Sequence, residues 1–378
     1  MLPQDPRRTP IDGRHAALKR AARAARPFAV VAALGIAVLG DVSPGTAGAA
    51  RPGFTPAERS RILSLGPWPP PAAAQARLDD ATALARIDLG ERLFHSARLS
   101  GAGGVRCASC HEPFRRFTDG RARAHGLADG ARNTPTLLDV ATHRVFGWDG
   151  ARDRLDAQSL RPMRDPAEMG ASPSHVAALV RSDADLRARY VAAFGTAPQG
   201  DDEAVFEAVG RALAAYETML ASARTPFDEW RDALASGRDD AAGLDPAARR
   251  GLRLFVGRGE CIACHSGQML GDDALHVSTV HSLRPDGTPD AGHAGAPANA
   301  FRTPSLRAVA ATAPYMHDGS VDRLCEAARP HALADGATAP ATSLTAAERD
   351  DIAAFLRIFD APPASAPDDA NARPCAAD

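Results

Sequence analysis

Apolar residues recur with a helical period late in each half of the chain. Val205, Val209, Leu213, Tyr216 and Leu220 are spaced by fours and threes, so they line one face of an amphipathic helix. Ile352, Phe355, Leu356 and Phe359 repeat the pattern near the C-terminus, and Thr345 with Glu348 forms the capping box that starts that helix. A further helix ends around "FDEWRDAL" (227–234), ahead of a junction near 235–245. Strand-like alternation is scarce, and the Pro- and Gly-rich stretches at 64–73, 283–297 and 361–374 read as connections. The expected fold is therefore mainly α.

One apolar run has no period. "FAVVAALGIAVLG" (28–40) follows Arg7, Arg8, Arg14, Lys19, Arg20, Arg23 and Arg26 and precedes the small residues "AGA" (47–49). A basic region, an apolar region too short for the ~20 residues of a membrane span, and a small-residue site make a secretory signal peptide over 1–49, cleaved near Ala49. The protein is thus expected in the periplasm, with no membrane span left after cleavage. Removing this segment moves the net charge from −2 to about −6, which argues against nucleic acid as a partner. The full chain of 378 residues is long for a single core, so two domains are expected.

The cysteines carry the chemistry. Four of the six stand in "CASCH" (107–111) and "CIACH" (261–265). In this spacing two thiols one helical turn apart can add across the vinyl groups of a haem, and the next residue turns its imidazole under the ring as proximal ligand. A redox dithiol or half of a zinc site requires no histidine directly after the second cysteine. The contexts also repeat: "LGERLF" (89–94) leads into the first motif and "RGLRLF" (250–255) into the second, aligning Gly90 with Gly251 and Phe94 with Phe255. The chain reads as an internal duplication of two cytochrome c-like domains, 50–240 and 241–378. Cys107, Cys110 and His111 attach one c-type haem, and Cys261, Cys264 and His265 the other. Cys325 and Cys375 remain, and in an exported chain they are expected to form a disulfide.

Several segments in order, "LFHSARLSGAGGVRCASCH", "HGLADGARNTPTLLDV", "FGWDGARDRLDAQSL", "DPAEMG", "GECIACHSG", "FRTPSLRAVA" and "TAPYMHDGSV", give residues 80–360 a resemblance to the bacterial dihaem cytochrome c peroxidases and their MauG-like relatives. The resemblance implies that His125, eight residues before Asn133, is the removable distal ligand of the N-terminal, peroxidatic haem. It implies that Glu168 is the catalytic carboxylate, that Gln158 orients the peroxide or its water, and that Trp148 lies between the haems. Asn133, Thr312 and Pro314 match positions that bind one calcium ion. A small donor protein, cytochrome c or a cupredoxin, and a homodimer are further expectations of this kind.

At the second haem the chain departs from the pattern. Counting fourteen residues on from His317, the family has methionine or tyrosine and this chain has His331, which becomes the expected distal ligand, with Met316 as the alternative. An imidazole there generally gives a lower potential than a thioether. Three readings follow: a peroxidase reducing hydrogen peroxide to water, with the C-terminal haem relaying electrons to the N-terminal one; a MauG-like oxidase that modifies a protein client; and a dihaem electron carrier without enzymatic activity.

Overall fold

A computed structural model describes residues 53–69, 80–238, 243–333, 343–360 and 375. The expected signal segment, residues 70–73 and the connection at 361–374 lie outside the described residues. The fold is mainly helical, as expected, with one small sheet.

The chain enters through helix α1 (Pro56–Leu63), which Thr55 caps reciprocally with Glu58. Helix α2 (Ala81–Phe94) then leads to the one-turn helix α3 (Cys107–Cys110), which carries the first motif. Four helices follow: α4 (Leu155–Arg164), α5 (Pro173–Ser182), α6 (Ala184–Phe194) and α7 (Asp202–Glu217). With α2 they enclose the first apolar core, which includes Leu89, Leu93, Phe94, Met163, Val176, Leu186, Phe206 and Leu213. The 3.6-residue stripe of α7 accounts for Val205, Val209 and Leu213. That helix stops at Glu217, short of Leu220, whose carbonyl instead accepts the Asp139 N–H at 2.6 Å.

The second core draws on both ends of the described chain. Helix α8 (Pro226–Ala235), α9 (Pro246–Val256), the one-turn α10 (Leu324–Ala327) and α11 (Ala346–Arg357) build it, and Phe54, Ile62 and Leu65 from the α1 region join them. Although α1 and α8 precede residue 240, their apolar side chains are shared with α9 and α11. The Thr345–Glu348 capping box at the start of α11 is present. Cys325 and Cys375 form a disulfide that fastens the end of the chain to α10. A sheet of strands β1 (Leu275–Ser278), β2 (Ala300–Arg302) and β3 (Ala332–Leu333), antiparallel with β1 in the middle, sits beside this core.

The internal repeat is visible in the packing. A Cβ on Gly90 would overlap the Ala212 carbonyl of α7, and a Cβ on Gly251 would overlap the Asp351 carbonyl of α11. In each half, the helix leading to the haem motif therefore crosses the closing helix at a glycine, with backbones too close for any side chain. Phe94 and Phe255, the other aligned pair, are both buried.

One ion pair lies within the second core. The guanidinium of Arg307 donates to Asp228 at 3.0 and 3.2 Å, stacks on Trp68 at 3.9 Å and donates through Nε to the Gln268 carbonyl. Both charged side chains are 1% exposed. Asp228 also accepts from the Thr225 backbone at the start of α8. Removing one partner leaves a buried charge uncompensated, so Asp228→Ala should lower the unfolding free energy by about 3–5 kcal/mol, read from urea denaturation.

Candidate functional site

Each motif ends by turning its histidine inward and holding it with a backbone carbonyl from a few residues on. His111 Nδ1 bonds the carbonyl of Phe117 at 3.0 Å, and His265 Nδ1 bonds that of Leu270 at 2.9 Å. To return so soon the chain places Phe117 (φ 58°) and Leu270 (φ 50°) in the left-handed region, a conformation that costs a non-glycine residue roughly 1–2 kcal/mol. The bond fixes Nδ1 as the protonated nitrogen and makes Nε2 the ligand atom; the His111 ring also has the Pro135 backbone as a hydrogen-bond partner. Burial lowers the pKa of both imidazoles, that of His265 to about 4, so each is neutral as a metal ligand must be. Burial also pushes the thiols of Cys107 and Cys261 up to about 12.

The C-terminal motif opens onto a cavity of about 320 Å³ lined by Cys261, Cys264 and His265. His331 closes it from the far side. Its Nδ1 bonds the Arg329 carbonyl at 2.8 Å, and its own carbonyl accepts the Thr279 N–H at 2.9 Å, which fixes the start of β3 to the sheet. Burial lowers its pKa too. The rings of His265 and His331 stand 6.1 Å apart between centroids. Two imidazoles bound through Nε2 to one metal at about 2 Å each place their ring centres about 6 Å apart. The cavity, the paired thiols and the facing imidazoles therefore fit a c-type haem. Met316 lines the same cavity and packs into the second core.

Around the N-terminal motif the structure brings together residues far apart in sequence. His125 sits on a short hairpin in which it is bridged to Asp129, and its Nδ1 meets Asp129 Oδ1 at 2.6 Å. The His125 carbonyl lies 3.8 Å from Cys110 Sγ, so the hairpin backbone rests on the haem motif. On its other side the hairpin is bonded to the segment of Glu168: Leu127 N–H donates to the Glu168 carbonyl at 3.1 Å and Ala128 N–H to that of Ala167 at 2.8 Å. A Cβ on Gly126 would collide with this segment, which explains glycine there. Glu168 Oε1 is ion-paired with Arg161 at 2.7 Å. Gln158 stands on the same helix, α4, as Arg161, with its side chain toward Gly147.

Trp148, Asn133, Thr312 and Pro314 all line the C-terminal cavity. The indole donates to the Asn133 carbonyl at 2.9 Å. Asn133 Nδ2 donates to the Arg121 carbonyl, while its Oδ1 accepts no hydrogen bond among the described residues. An amide oxygen left without a donor suits a cation. Arg132 fixes this corner by a bidentate pair with Asp290 at 2.6 and 2.8 Å and a bond to Asp149 at 2.8 Å.

The cavity wall also holds residues that no motif singles out. His143 Nδ1 bonds Asp273 at 2.7 Å, Arg302 donates to the same carboxylate at 3.0 Å, and His276 bonds Asp272. Burial opposes ionisation of Asp273, yet the bond and charge of His143, with Arg302, hold its pKa down to about 2. The sequence carries no signal for these pairs, because His143 and Arg302 each meet Asp273 only through the fold.

Residues 84–235 match a family described as di-haem cytochrome c peroxidase. Over 291 residues the chain is 35% identical to the methylamine utilization protein MauG of Methylorubrum extorquens, covering 74% of this chain and 79% of that one. It is 30% identical over 247 residues to the cytochrome c551 peroxidase of Nitrosomonas europaea, covering 64% and 70%. Among solved structures, a MauG-like protein associated with microbial copper homeostasis matches with a TM-score of 0.61 at 31% identity, over 79% of this chain and 98% of that one.

With His265 and His331 on one iron, the C-terminal haem should give a low-spin signal in electron paramagnetic resonance. His331→Ala should turn that signal high-spin, and added imidazole should restore it. An unchanged spectrum in the variant would move the ligand to Met316.

Proposed function

Because the chain belongs to the family of dihaem cytochrome c peroxidases and MauG-like proteins, we propose that it reduces hydrogen peroxide to water in the periplasm. Two electrons come singly from a small donor protein, a cytochrome c or a cupredoxin, and two protons come from water. The observation that carries this reading is the pair of backbone bonds between the His125 hairpin and the Glu168 segment. They tie the hairpin of His125, read as a detachable ligand, to the segment of Glu168, read as the proton-moving carboxylate, and an electron carrier has no use for such a link.

A haem bound at each motif would supply one-electron chemistry and, at the N-terminal motif, a place for peroxide. The chain does the rest. Cys107, Cys110 and His111 would hold the N-terminal haem, and Cys261, Cys264, His265 and His331 the C-terminal one. His125 would hold the N-terminal haem iron at rest and release it as its hairpin moves, which opens that haem to peroxide. Arg161 fixes one oxygen of Glu168 and leaves Oε2 to take a proton from the near oxygen of the peroxide and deliver it to the departing one. Gln158 orients the substrate, and Trp148 lies on the electron path from the C-terminal haem. Asn133 Oδ1 with the carbonyls of Thr312 and Pro314 would hold calcium in the wall they share.

A second reading, a MauG-like oxidase acting on a protein client, is favoured by the facing histidines of the C-terminal cavity. An imidazole pair lowers the potential, which weakens an electron-storing role and suits a haem that shares oxidising equivalents.

Stopped-flow mixing of the oxidised and the half-reduced protein with hydrogen peroxide and a reduced donor tests both. Donor oxidation at two equivalents per peroxide supports the peroxidase. A haem reaction without donor turnover supports the oxidase, and no reaction in either state leaves the carrier. Glu168→Gln should lower kcat by about 10²–10⁴-fold, the usual contribution of a positioned proton-transfer group. His125→Gly should react with peroxide without prior reduction, and a persisting lag would show that this imidazole is not the gate.

A further inference from the structure

Glu217, the last residue of α7, has its carboxyl buried in the first core. No arginine reaches it among the described residues; its side-chain partner is Ser159 of α4, whose Oγ stands 2.9 Å from Glu217 Oε2. The same Oγ lies 2.8 Å from the Leu155 carbonyl, one helical turn back. A hydroxyl has one proton to give, and a backbone carbonyl can only accept. The two contacts are satisfied together when Ser159 donates to Leu155 and Glu217 donates to Ser159, which requires Glu217 to be the neutral acid.

Its surroundings agree. Burial raises the Glu217 carboxyl from 4.5 to about 8, against a small opposing effect of the Ser159 bond. The carboxyl lies close enough to the first haem-attaching cysteine to raise the Cys107 thiol. Of the other charged groups on or against α7, Arg181 pairs with Asp202, Arg164 pairs with Glu203, Arg211 lies over the Phe194 ring, and His95 packs edge-on against Tyr216. Tyr216 is on its own helix, and Glu91 of α2 acts on Tyr216. Asp156 of α4 is bound to Arg154, and His175 of α5 bonds the Arg98 carbonyl. None of them offers a positive charge to the carboxyl.

We propose that Glu217 is the redox-linked proton group of the N-terminal haem: it releases its proton when that centre is oxidised and takes one up when an electron arrives. Ferrous iron in a porphyrin dianion adds no net charge at the centre and leaves the acid neutral. Ferric iron adds one positive charge, which favours the carboxylate. On reduction, one electron from the donor protein reaches the iron and one proton from water reforms the carboxylic acid, while Ser159 turns its hydroxyl proton back to Leu155. Proton delivery thereby accompanies electron delivery at the haem proposed to consume both. The inference rests on the haem held by Cys107 and His111 and not on which reaction the protein performs.

The experiment is a redox titration of the N-terminal haem in the full-length holoprotein at a series of pH values, followed by electron paramagnetic resonance so that the two centres are read separately. Dithionite serves as reductant. The midpoint should fall as pH rises toward about 8, by up to a tenfold change in equilibrium constant per pH unit, which is 59 mV for one electron. Glu217→Gln, which keeps a donor to Ser159, should flatten this dependence. Infrared difference spectra of the unaltered protein should show the carbonyl band of a protonated carboxyl appearing on reduction and shifting in heavy water. A pH-independent midpoint, an unchanged slope in the variant, or no carboxyl signal on reduction would each overturn the proposal. Peroxide turnover is measured in parallel. Turnover without the slope retires this inference alone, and the slope without turnover retires only the peroxidase reading.

Discussion

An imidazole that is to hold a metal has to be uncharged and aimed, and burial with a carbonyl on Nδ1 does both at His111, His265 and His331. Much of the local architecture follows from that requirement. The chain after each motif has to return within six residues to present its carbonyl, and the left-handed Phe117 and Leu270 are where it turns. The small sheet serves the same end from the other side, because Thr279, directly after β1, donates the hydrogen bond that holds the His331 backbone. Local strain of roughly 1–2 kcal/mol per turn is stable here because the surrounding core fixes it.

The cores that supply this support are built on one plan and finished differently. Both cross two helices at a glycine, Gly90 or Gly251, so backbone meets backbone where a side chain would have separated them. The first core is completed by helices that follow its motif. The second borrows α1 and α8 from earlier in the chain and buries the Arg307–Asp228 pair, which costs desolvation and fixes how these elements meet. The chain cannot be cut near residue 240 without removing part of the second core's wall.

What could be read in the sequence was local or repeated. The two five-residue motifs, the stripe of α7, the Thr345 cap and the aligned glycines are each written within a few residues, because covalent attachment, helical period and capping act over one or two turns. The disulfide could be named because two cysteines were left over. His143, Asp273 and Arg302 could not be found this way, since only the fold brings them to one wall. Glu217 was hidden differently. A glutamate beside the apolar stripe of a helix normally faces water, and here α4 packs over that position and buries it. The Arg161 partner of Glu168 was missed for a related reason. Seven residues separate them, and the turn after α4 brings the segment back.

The two backbone bonds from Leu127 and Ala128 to the Glu168 segment set a limit on how this chain can change. A substitution that loosens the hairpin removes support from the carbonyl of Glu168, and one that stiffens the Glu168 segment also fastens His125. In the proposed mechanism, access to the iron and placement of the proton-moving group are then one mechanical variable and cannot be adjusted separately. Selection for faster opening would meet selection for a steadier carboxylate at the same pair of amides.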